Sequence, residues 1–235
     1  YRTVHGLDIA KEIISQKIKY QFNIVKSKKL AKEYVGEIEM VKDSKSLLLI
    51  EARAAKQFWK IFGAEISGTA VWFSRNAHHD DTVNKLLDVG YHFLVQKVAK
   101  IFEENDVPYE IGILHKAQSK NAKPLVYDFV EWLRPMIIDA TLLKFLHRKK
   151  KSFKYLDKKS IPHFVYEIKK SCKRLFYHKH LKYCITLDYW ITLNVLSLRS
   201  TVTENKKPKF YFPSLRHETR CKKPPEGGCA SEIYN

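Results

Sequence analysis

The chain has 235 residues, of which 45% are hydrophobic, so it can bury a core as one large domain or two small ones. Its 43 Lys and Arg outnumber 25 Asp and Glu, and the net charge of +18 predicts a polyanionic partner, with nucleic acid the leading candidate. A membrane surface would attract the same charge, but no apolar run approaches the roughly 20 residues of a spanning helix. We therefore expect a globular, cytoplasmic protein with no membrane partner.

The first part of the chain predicts helices. Residues 8–26 repeat apolar side chains at the spacing of an amphipathic helix, and a shorter charged helix follows. Residues 43–63 begin with capping residues, are largely apolar and end at Gly63, so we expect a buried helix. Residues 82–106 predict another helix, in which Gly90 costs about 1 kcal/mol relative to alanine and therefore indicates a close packing contact.

Glu51 lies in the middle of the apolar helix 43–63. A buried carboxylate is costly without a compensating partner, so two explanations are open. Arg53 or Lys56 could pair with the carboxylate, or a metal ion could bind it. On this helix alone, the arginine or lysine explanation is slightly favoured.

Residues 111–135 combine a histidine with acids. His115 ends a short apolar run, and the helix predicted after it carries Asp128, Glu131 and Arg134 at a spacing of three. This spacing puts the three side chains in one column. Carboxylate and imidazole groups suit a divalent cation, whereas the ordinary alternative is a solvated face whose charges pair with one another. The apolar neighbours favour burial of this helix.

The last part of the chain is basic. The run from His147 to Lys151 is either a solvated helix end or a track for a phosphate backbone. Residues 161–182 predict one helix with a basic face, and the Pro- and Gly-rich tail 201–235 predicts extended or disordered structure. We expect a multi-helix bundle with at most a small hairpin near residues 109–122.

The four cysteines form no CxxC pair, so we expect reduced thiols. A zinc site formed by His217, Cys221 and Cys229 is an alternative, but its spacing matches no common ligand pattern. The sequence contains no Gly-rich phosphate loop, GxSxG motif or HExxH motif, which argues against nucleotide-binding, serine-hydrolase and zincin chemistry.

Four ordered blocks resemble one known family. They read IEARAAKQFWKIFG, then SRN with DDTVNKLLDVGY, then IGILH, then LVYDFVEWLRP, and KIKYQ at residues 17–21 fits the same signature. In order and spacing they resemble the helical catalytic domain of the CRISPR-associated endonuclease and integrase, the first-numbered CRISPR protein and the enzyme of spacer acquisition. The similarity covers roughly residues 8–150 and weakens toward about residue 198.

The resemblance implies a mainly α-helical catalytic domain over residues 8–200, with residues 1–7 as a linker or a remnant of an N-terminal domain. Family members normally carry an N-terminal β-rich domain that builds the homodimer, so this chain is either a fragment or a reduced form that assembles differently. The implied partners are double-stranded DNA, as fragment ends and CRISPR repeat, a second copy of the chain, and the small second CRISPR adaptation protein.

The resemblance also assigns residues. The family's metal ligands fall on Glu51, His115 and Asp128, which favours metal binding by Glu51, and Glu131 completes the catalytic set. The implied cofactor is Mn²⁺ or Mg²⁺. A metal-bound histidine must be neutral, so activity is expected to fall as the pH drops through the titration range of His115. The residues expected to bind or position DNA are Lys17, Arg75, Asn84, Tyr91, Arg134, Arg148, Lys149, Lys150, Lys173 and Arg174.

These matches predict a metal-dependent DNA integrase, in which the 3′-hydroxyl of a captured fragment attacks a phosphodiester at a CRISPR repeat border. Offered water, the same site would act as a nuclease. The alternatives are a structure-specific nuclease or transposon-type integrase of the same family, and a non-catalytic basic DNA-binding module.

Overall fold

The computed structural model describes residues 5–67, 73–76, 81–110, 112–115, 122–148, 159–178, 181–204 and 207–213. Within these ranges the chain forms helices and one two-stranded hairpin, which confirms the mainly α-helical prediction. No helix in this part of the chain is long and apolar enough to cross a membrane. The elements are α1 (Gly6–Ile24), α2 (Lys28–Glu39), α3 (Ser44–Ser67), α4 (Thr82–Glu104), α5 (Pro124–Val130), a π-helix (Arg134–Asp139), α6 (Ala140–Arg148), α7 (Ser160–Cys172), β1 (Leu175–His178), β2 (Tyr183–Thr186) and α8 (Leu187–Glu204).

Helix α1 packs against α2, α3, α5 and the π-helix. Its buried face carries the apolar side chains of Ile9, Ile13, Ile18 and Phe22, but it also contains Lys17. A lysine is almost never buried unless it is paired. The position of Lys17 therefore marks a polar site inside the helical core.

Two glycines permit close approaches between elements. A Cβ at Gly90 of α4 would lie 2.6 Å from Cγ2 of Ile138, which confirms the predicted packing contact. Helix α3 continues past Gly63 to Ser67, so the predicted stop at this glycine is wrong. Instead, a Cβ at Gly63 would lie 3.0 Å from the backbone oxygen of Phe73, so the glycine leaves room for that segment.

The hairpin differs from the predicted one. Helix α7 ends at Cys172, and β1 and β2 then pair in antiparallel register, so the prediction of one helix over residues 161–182 is wrong in its last part. Aromatic and β-branched side chains in this segment favour strands. Lys182 precedes β2 with a positive φ of 58°, which turns the chain back. The described residues of the range 109–122 contain no strand.

Residues 207–213 belong to no helix or strand, and their aromatic side chains pack against the core. The side-chain amide of Asn194 pairs with both backbone groups of Tyr211, at 2.7 and 2.8 Å. The hydroxyl of Tyr20 donates to the backbone oxygen of Pro213 at 2.6 Å. This segment therefore ties α1 and α8 together.

The cysteines differ from one another. Cys172 is a free buried thiol, as expected. Cys184 is disulfide-bonded, so the expectation of reduced thiols is wrong at this position. The alternative zinc ligands His217, Cys221 and Cys229 lie outside the described residues.

Candidate active site

Asp128 anchors the loop that carries His115. Its carboxylate is buried, and Oδ2 accepts from the backbone N–H groups of Ile113 at 2.5 Å and Leu114 at 2.9 Å. Oδ1 accepts from the N–H of His115 at 3.1 Å and from its ring Nδ1 at 2.5 Å. Successive N–H groups aimed at one carboxylate stabilise its charge. Both oxygens of Asp128, a predicted metal ligand, therefore have partners within the chain.

The contact with Asp128 orients the ring of His115. Because Nδ1 donates to a carboxylate oxygen, Nε2 is the nitrogen that remains to bind a cation. The hydrogen bond to Asp128 raises the pKa of His115, and this effect exceeds the opposing effect of partial burial. The side chain is 47% exposed, so a ligand can reach the ring.

Gly112 allows the loop to close around the Asp128 carboxylate. A Cβ at this position would lie 2.2 Å from the backbone oxygen of His115, 2.8 Å from Cβ of Pro124 and 3.0 Å from Oδ2 of Asp128. The first two distances are shorter than any ordinary contact of a Cβ. Any larger residue must therefore displace the loop.

We expect the Gly112→Ala variant to shift the 112–115 loop and to lower the free energy of unfolding by about 1–3 kcal/mol, as overpacking typically does. Thermal unfolding measures the effect. The matched control is Gly36→Ala in α2, where nothing lies within 4 Å of an added Cβ. There the higher helix propensity of alanine gains up to about 1 kcal/mol. Equal melting temperatures for the two variants would contradict the prediction.

Lys17 brings the carboxylates of Glu51 and Glu131 together. Its Nζ lies 2.5 Å from Oε1 of Glu51 and 2.5 Å from Oε2 of Glu131, so these two oxygens are at most twice that distance apart. The side chains of Lys17, Glu51 and Glu131 are 10%, 22% and 4% exposed. Burial lowers the pKa of Lys17, but Glu131 and Glu51 raise it by more, so the amine stays charged.

Arg134 binds the other oxygen of Glu131. Its Nη1 lies 2.5 Å from Oε1 of Glu131. Burial alone would raise the pKa of Glu131, but Arg134 and Lys17 lower it to about 2. Of the predicted column of three side chains, Glu131 and Arg134 pair with each other. Asp128 instead binds the 112–115 loop.

Neither predicted partner pairs with Glu51. Arg53 pairs with Glu37 of α2, and Lys56 is exposed on α3. The partner is Lys17, which was expected to contact DNA and is instead buried between two acids. Glu51 and Lys17 are 34 residues apart, on different helices, so no local pattern could have identified the pair.

The sequence matches the family described as CRISPR associated protein Cas1 over residues 2–179. The chain belongs to the Cas1 family. The resemblance found in the ordered motifs is therefore confirmed. Among curated proteins, none matches the chain in sequence.

Solved structures share the Cas1 fold with this chain. A Cas1 protein from Thermotoga maritima matches with a TM-score of 0.72 and 18% identity. The match covers 84% of this chain and 65% of the Thermotoga chain. A casposase bound to integration product has a TM-score of 0.74 and 19% identity, covering 89% and 69%. A Cas6-RT-Cas1–Cas2 complex has a TM-score of 0.74 and 16% identity, covering 88% and 25%. At these identities the likeness shows the fold alone, and this chain spans less than two thirds of the Thermotoga protein.

In this Cas1 chain, several residues predicted to contact DNA form a network behind the acidic site. Asn84 is fully buried, and its Oδ1 accepts from Nη1 of Arg75 at 2.8 Å. The guanidinium groups of Arg75 and Arg134 lie 5.5 and 5.0 Å from the ring centroid of Tyr91. The hydroxyl of Tyr91 donates to Oδ1 of Asp139 at 2.7 Å. These contacts hold Arg134 in place beside Glu131.

Asp139 of this network was missed by the sequence reasoning, although an acid within the apolar stretch RPMIID was a usable signal. Burial raises the pKa of its carboxyl group to about 6. Because the folded pKa exceeds the unfolded one, the unfolded state releases its proton first. The contribution of Asp139 to stability is therefore full below about pH 4 and is lost as the pH rises through about 6.

We expect Asp139→Asn to remove the loss of folding stability that accompanies a rise in pH, which is worth up to about 3 kcal/mol. The asparagine oxygen can still accept from Tyr91. Urea unfolding of wild type and variant at about pH 4 and pH 7 measures the difference. Asp8→Asn is the control, because Asp8 is exposed on α1. The same pH slope in all three proteins would contradict the assignment.

Some basic residues of the C-terminal half lie near one another. Burial and the charges of Arg174 and Arg148 lower the pKa of Lys144, so these three cations lie near one another on α6 and after α7. Arg148 is 67% exposed and pairs with Glu167 at 3.4 Å, and Lys173 is exposed. The predicted DNA-binding residues Lys149 and Lys150 lie outside the described residues. The basic cluster Lys144, Arg148 and Arg174 has the charge to bind phosphates.

The acidic residues fit a divalent cation in chemistry. Within the described part of the chain, no group of three or more His, Cys, Asp or Glu side chains is close enough to hold a metal ion. Glu51 and Glu131 nevertheless share one cation, the ammonium of Lys17. The charge of Glu131 also contributes to the raised pKa of His115, so the carboxylate acts on the ring through its charge. Two carboxylates and an imidazole are donors suited to Mn²⁺ or Mg²⁺.

Proposed function

We propose that this chain is the catalytic domain of a metal-dependent DNA integrase that joins short DNA fragments into a CRISPR array. One observation carries the proposal. The carboxylates of Glu51 and Glu131, from two different parts of the fold, converge on the buried ammonium of Lys17. The charge of Glu131 also acts on His115, whose ring Asp128 orients. Membership of the Cas1 family and the net charge of +18 support DNA as the substrate.

The residue roles follow from the contacts. Glu51, Glu131 and Nε2 of His115 would hold Mn²⁺ or Mg²⁺, which supplies a Lewis acid for the scissile phosphate when bound. Asp128 would orient the ring of His115 instead of binding the cation, because backbone N–H groups and the ring already occupy both of its oxygens. Glu131 thus takes the place that the sequence reasoning gave to Asp128 among the ligands.

The reaction is an exchange of phosphodiester bonds. The 3′-hydroxyl of the fragment forms a new bond to phosphorus, and the bond from phosphorus to the departing 3′-oxygen breaks. The attacking hydroxyl gives its proton to solvent, and the departing oxygen takes a proton up from solvent. The basic cluster Lys144, Arg148 and Arg174 would hold phosphates without reading bases. Target choice would then come from DNA shape or from a partner, for which a second copy and a Cas2-type protein are the candidates.

An integration assay tests the proposal. A supercoiled plasmid with a CRISPR repeat is incubated with short duplex fragments, the protein, and Mn²⁺, Mg²⁺ or EDTA. We expect joined products only when a divalent cation and the repeat are both present. A non-catalytic binding module would retain DNA without joining or cutting it under any condition, and that result would overturn the proposal.

A transposon-type integrase is the second candidate, because a casposase bound to integration product shares the fold. It predicts cation-dependent joining that does not need the CRISPR repeat. The same assay on a plasmid without the repeat separates the two. Size-exclusion chromatography with light scattering, with and without a Cas2-type protein, tests the proposed assembly.

A further inference from the structure

The amine of Lys17 lies where two acidic side chains meet. Lys17 projects from the buried face of α1, while Glu51 belongs to α3 and Glu131 follows α5. The contact with Glu51 is a hydrogen bond of 2.5 Å, and the contact with Oε2 of Glu131 is an ion pair at the same distance. One amine therefore bridges three elements of the fold.

Two carboxylates this close, one buried and one half-buried, would repel each other without a cation between them. Arg134 binds Oε1 of Glu131, so Oε2 is the oxygen left to face Glu51. That oxygen and Oε1 of Glu51 are the atoms that Lys17 contacts. An ammonium and a divalent cation bound to the same pair of oxygens would repel each other, so the two cations compete for this site.

We propose that Lys17 is a built-in counter-ion of the active site, which holds Glu51 and Glu131 together before a divalent cation binds and is displaced from both when it does. The inference rests on the proposed function, since it assumes that these two carboxylates are metal ligands. Lys17 is thus a positioning residue. It keeps the acids in place and, by competing for them, weakens divalent-cation binding.

Titration of the full chain with Mn²⁺, followed by the EPR signal of free Mn²⁺, tests the competition. We expect Lys17→Met to bind Mn²⁺ about tenfold more tightly than wild type or better, because a repelling charge is gone. It should also melt at a lower temperature without Mn²⁺ and recover more on its addition. The control is Lys97→Met. Lys97 pairs with Asp188 at 2.8 Å and contacts neither Glu51 nor Glu131, so this variant should bind Mn²⁺ with wild-type affinity. Unchanged or weaker Mn²⁺ binding by a folded Lys17→Met would overturn the proposal.

A second measurement needs no variant at position 17. Acetic anhydride labelling of wild-type lysines, read by mass spectrometry, should leave Lys17 protected without Mn²⁺ and label it several-fold more with Mn²⁺. Unchanged labelling at saturating Mn²⁺ would overturn the proposal. Wild type and Glu131→Gln separate this proposal from the proposed function. If neither protein binds Mn²⁺, the proposed function fails. If only Glu131→Gln loses Mn²⁺ binding, the metal site is supported and the Lys17 results then decide the role of Lys17.

Discussion

Glu131→Gln should lower cation-dependent strand transfer by about 10²–10³-fold, the loss typical of removing one group that stabilises developing charge. The substitution removes a ligand charge whose pKa of about 2 shows how firmly the site holds it ionised. It also removes the negative charge that pairs with Arg134 and leaves Glu51 as the charged partner of Lys17. DNA binding should change little, since the basic cluster Lys144, Arg148 and Arg174 is untouched.

Loss of folding must be separated from loss of chemistry, because removing one partner of a buried ion pair costs about 3–5 kcal/mol. Glu51→Gln serves this purpose, since Glu51 is more exposed and Lys17 keeps Glu131 as a partner. This variant should melt near wild type and still lose strand transfer. Glu103→Gln is the control, because Glu103 pairs with Lys123 at the surface. Full activity of folded Glu51→Gln and Glu131→Gln with Mn²⁺ would refute the site.

Asp128→Asn should be the variant that most disturbs the 112–115 loop. An asparagine offers one acceptor oxygen and one amide nitrogen, so at least one backbone N–H would face another donor. Leaving buried donors unpaired costs about 1–3 kcal/mol each, and the loss of ring orientation should lower strand transfer by about 10–100-fold. Thermal unfolding and the integration assay measure the two effects.

The control for this variant is Asp43→Asn, because Asp43 also accepts from a backbone N–H, that of Ser46, but is exposed before α3. Nitrogen NMR of the His115 ring adds a direct readout. In wild type Nδ1 should carry the proton, whereas Asp128→Asn should show a mixture of tautomers. An unchanged tautomer with lost Mn²⁺ binding would mean that Asp128 is a direct ligand, as the family resemblance implies.

Much of the fold could be predicted from sequence, because helices are local structures. The periodicity of residues 8–26 and the apolar content of residues 43–63 predicted α1 and α3. The ends of α1 differ by two residues from the prediction, and α3 ends four residues later than predicted. Gly90 was recognised as a packing contact from its propensity cost alone. The hairpin of β1 and β2 was missed, because a short apolar and aromatic run fits a helix as well as a strand until its pairing partner is known.

For the candidate site, the residues could be predicted from the sequence, but their roles could not. Asp128, Glu131 and His115 could be identified because residues 111–135 carry them within a short stretch, and Glu51 because it lies in an apolar helix. The roles of Asp128 and Glu131 could not be identified, because helical spacing places both on one column while only the folded loop decides which carboxylate receives its N–H groups. The requirement for glycine at position 112 is not visible in the sequence, because it comes from a turn that forms only around Asp128.

The sequence by itself determined the helical class, the basic charge that favours DNA, the ordered motifs of the Cas1 family and the residue types of the site. Only the tertiary structure decided that Glu51 pairs with Lys17 and not with Arg53, and that Lys17 lies in the core and not on a DNA surface. The physical reason is that a buried charge is compensated by whichever group the packing of separate helices brings within reach. Neighbours along the chain do not reveal that group.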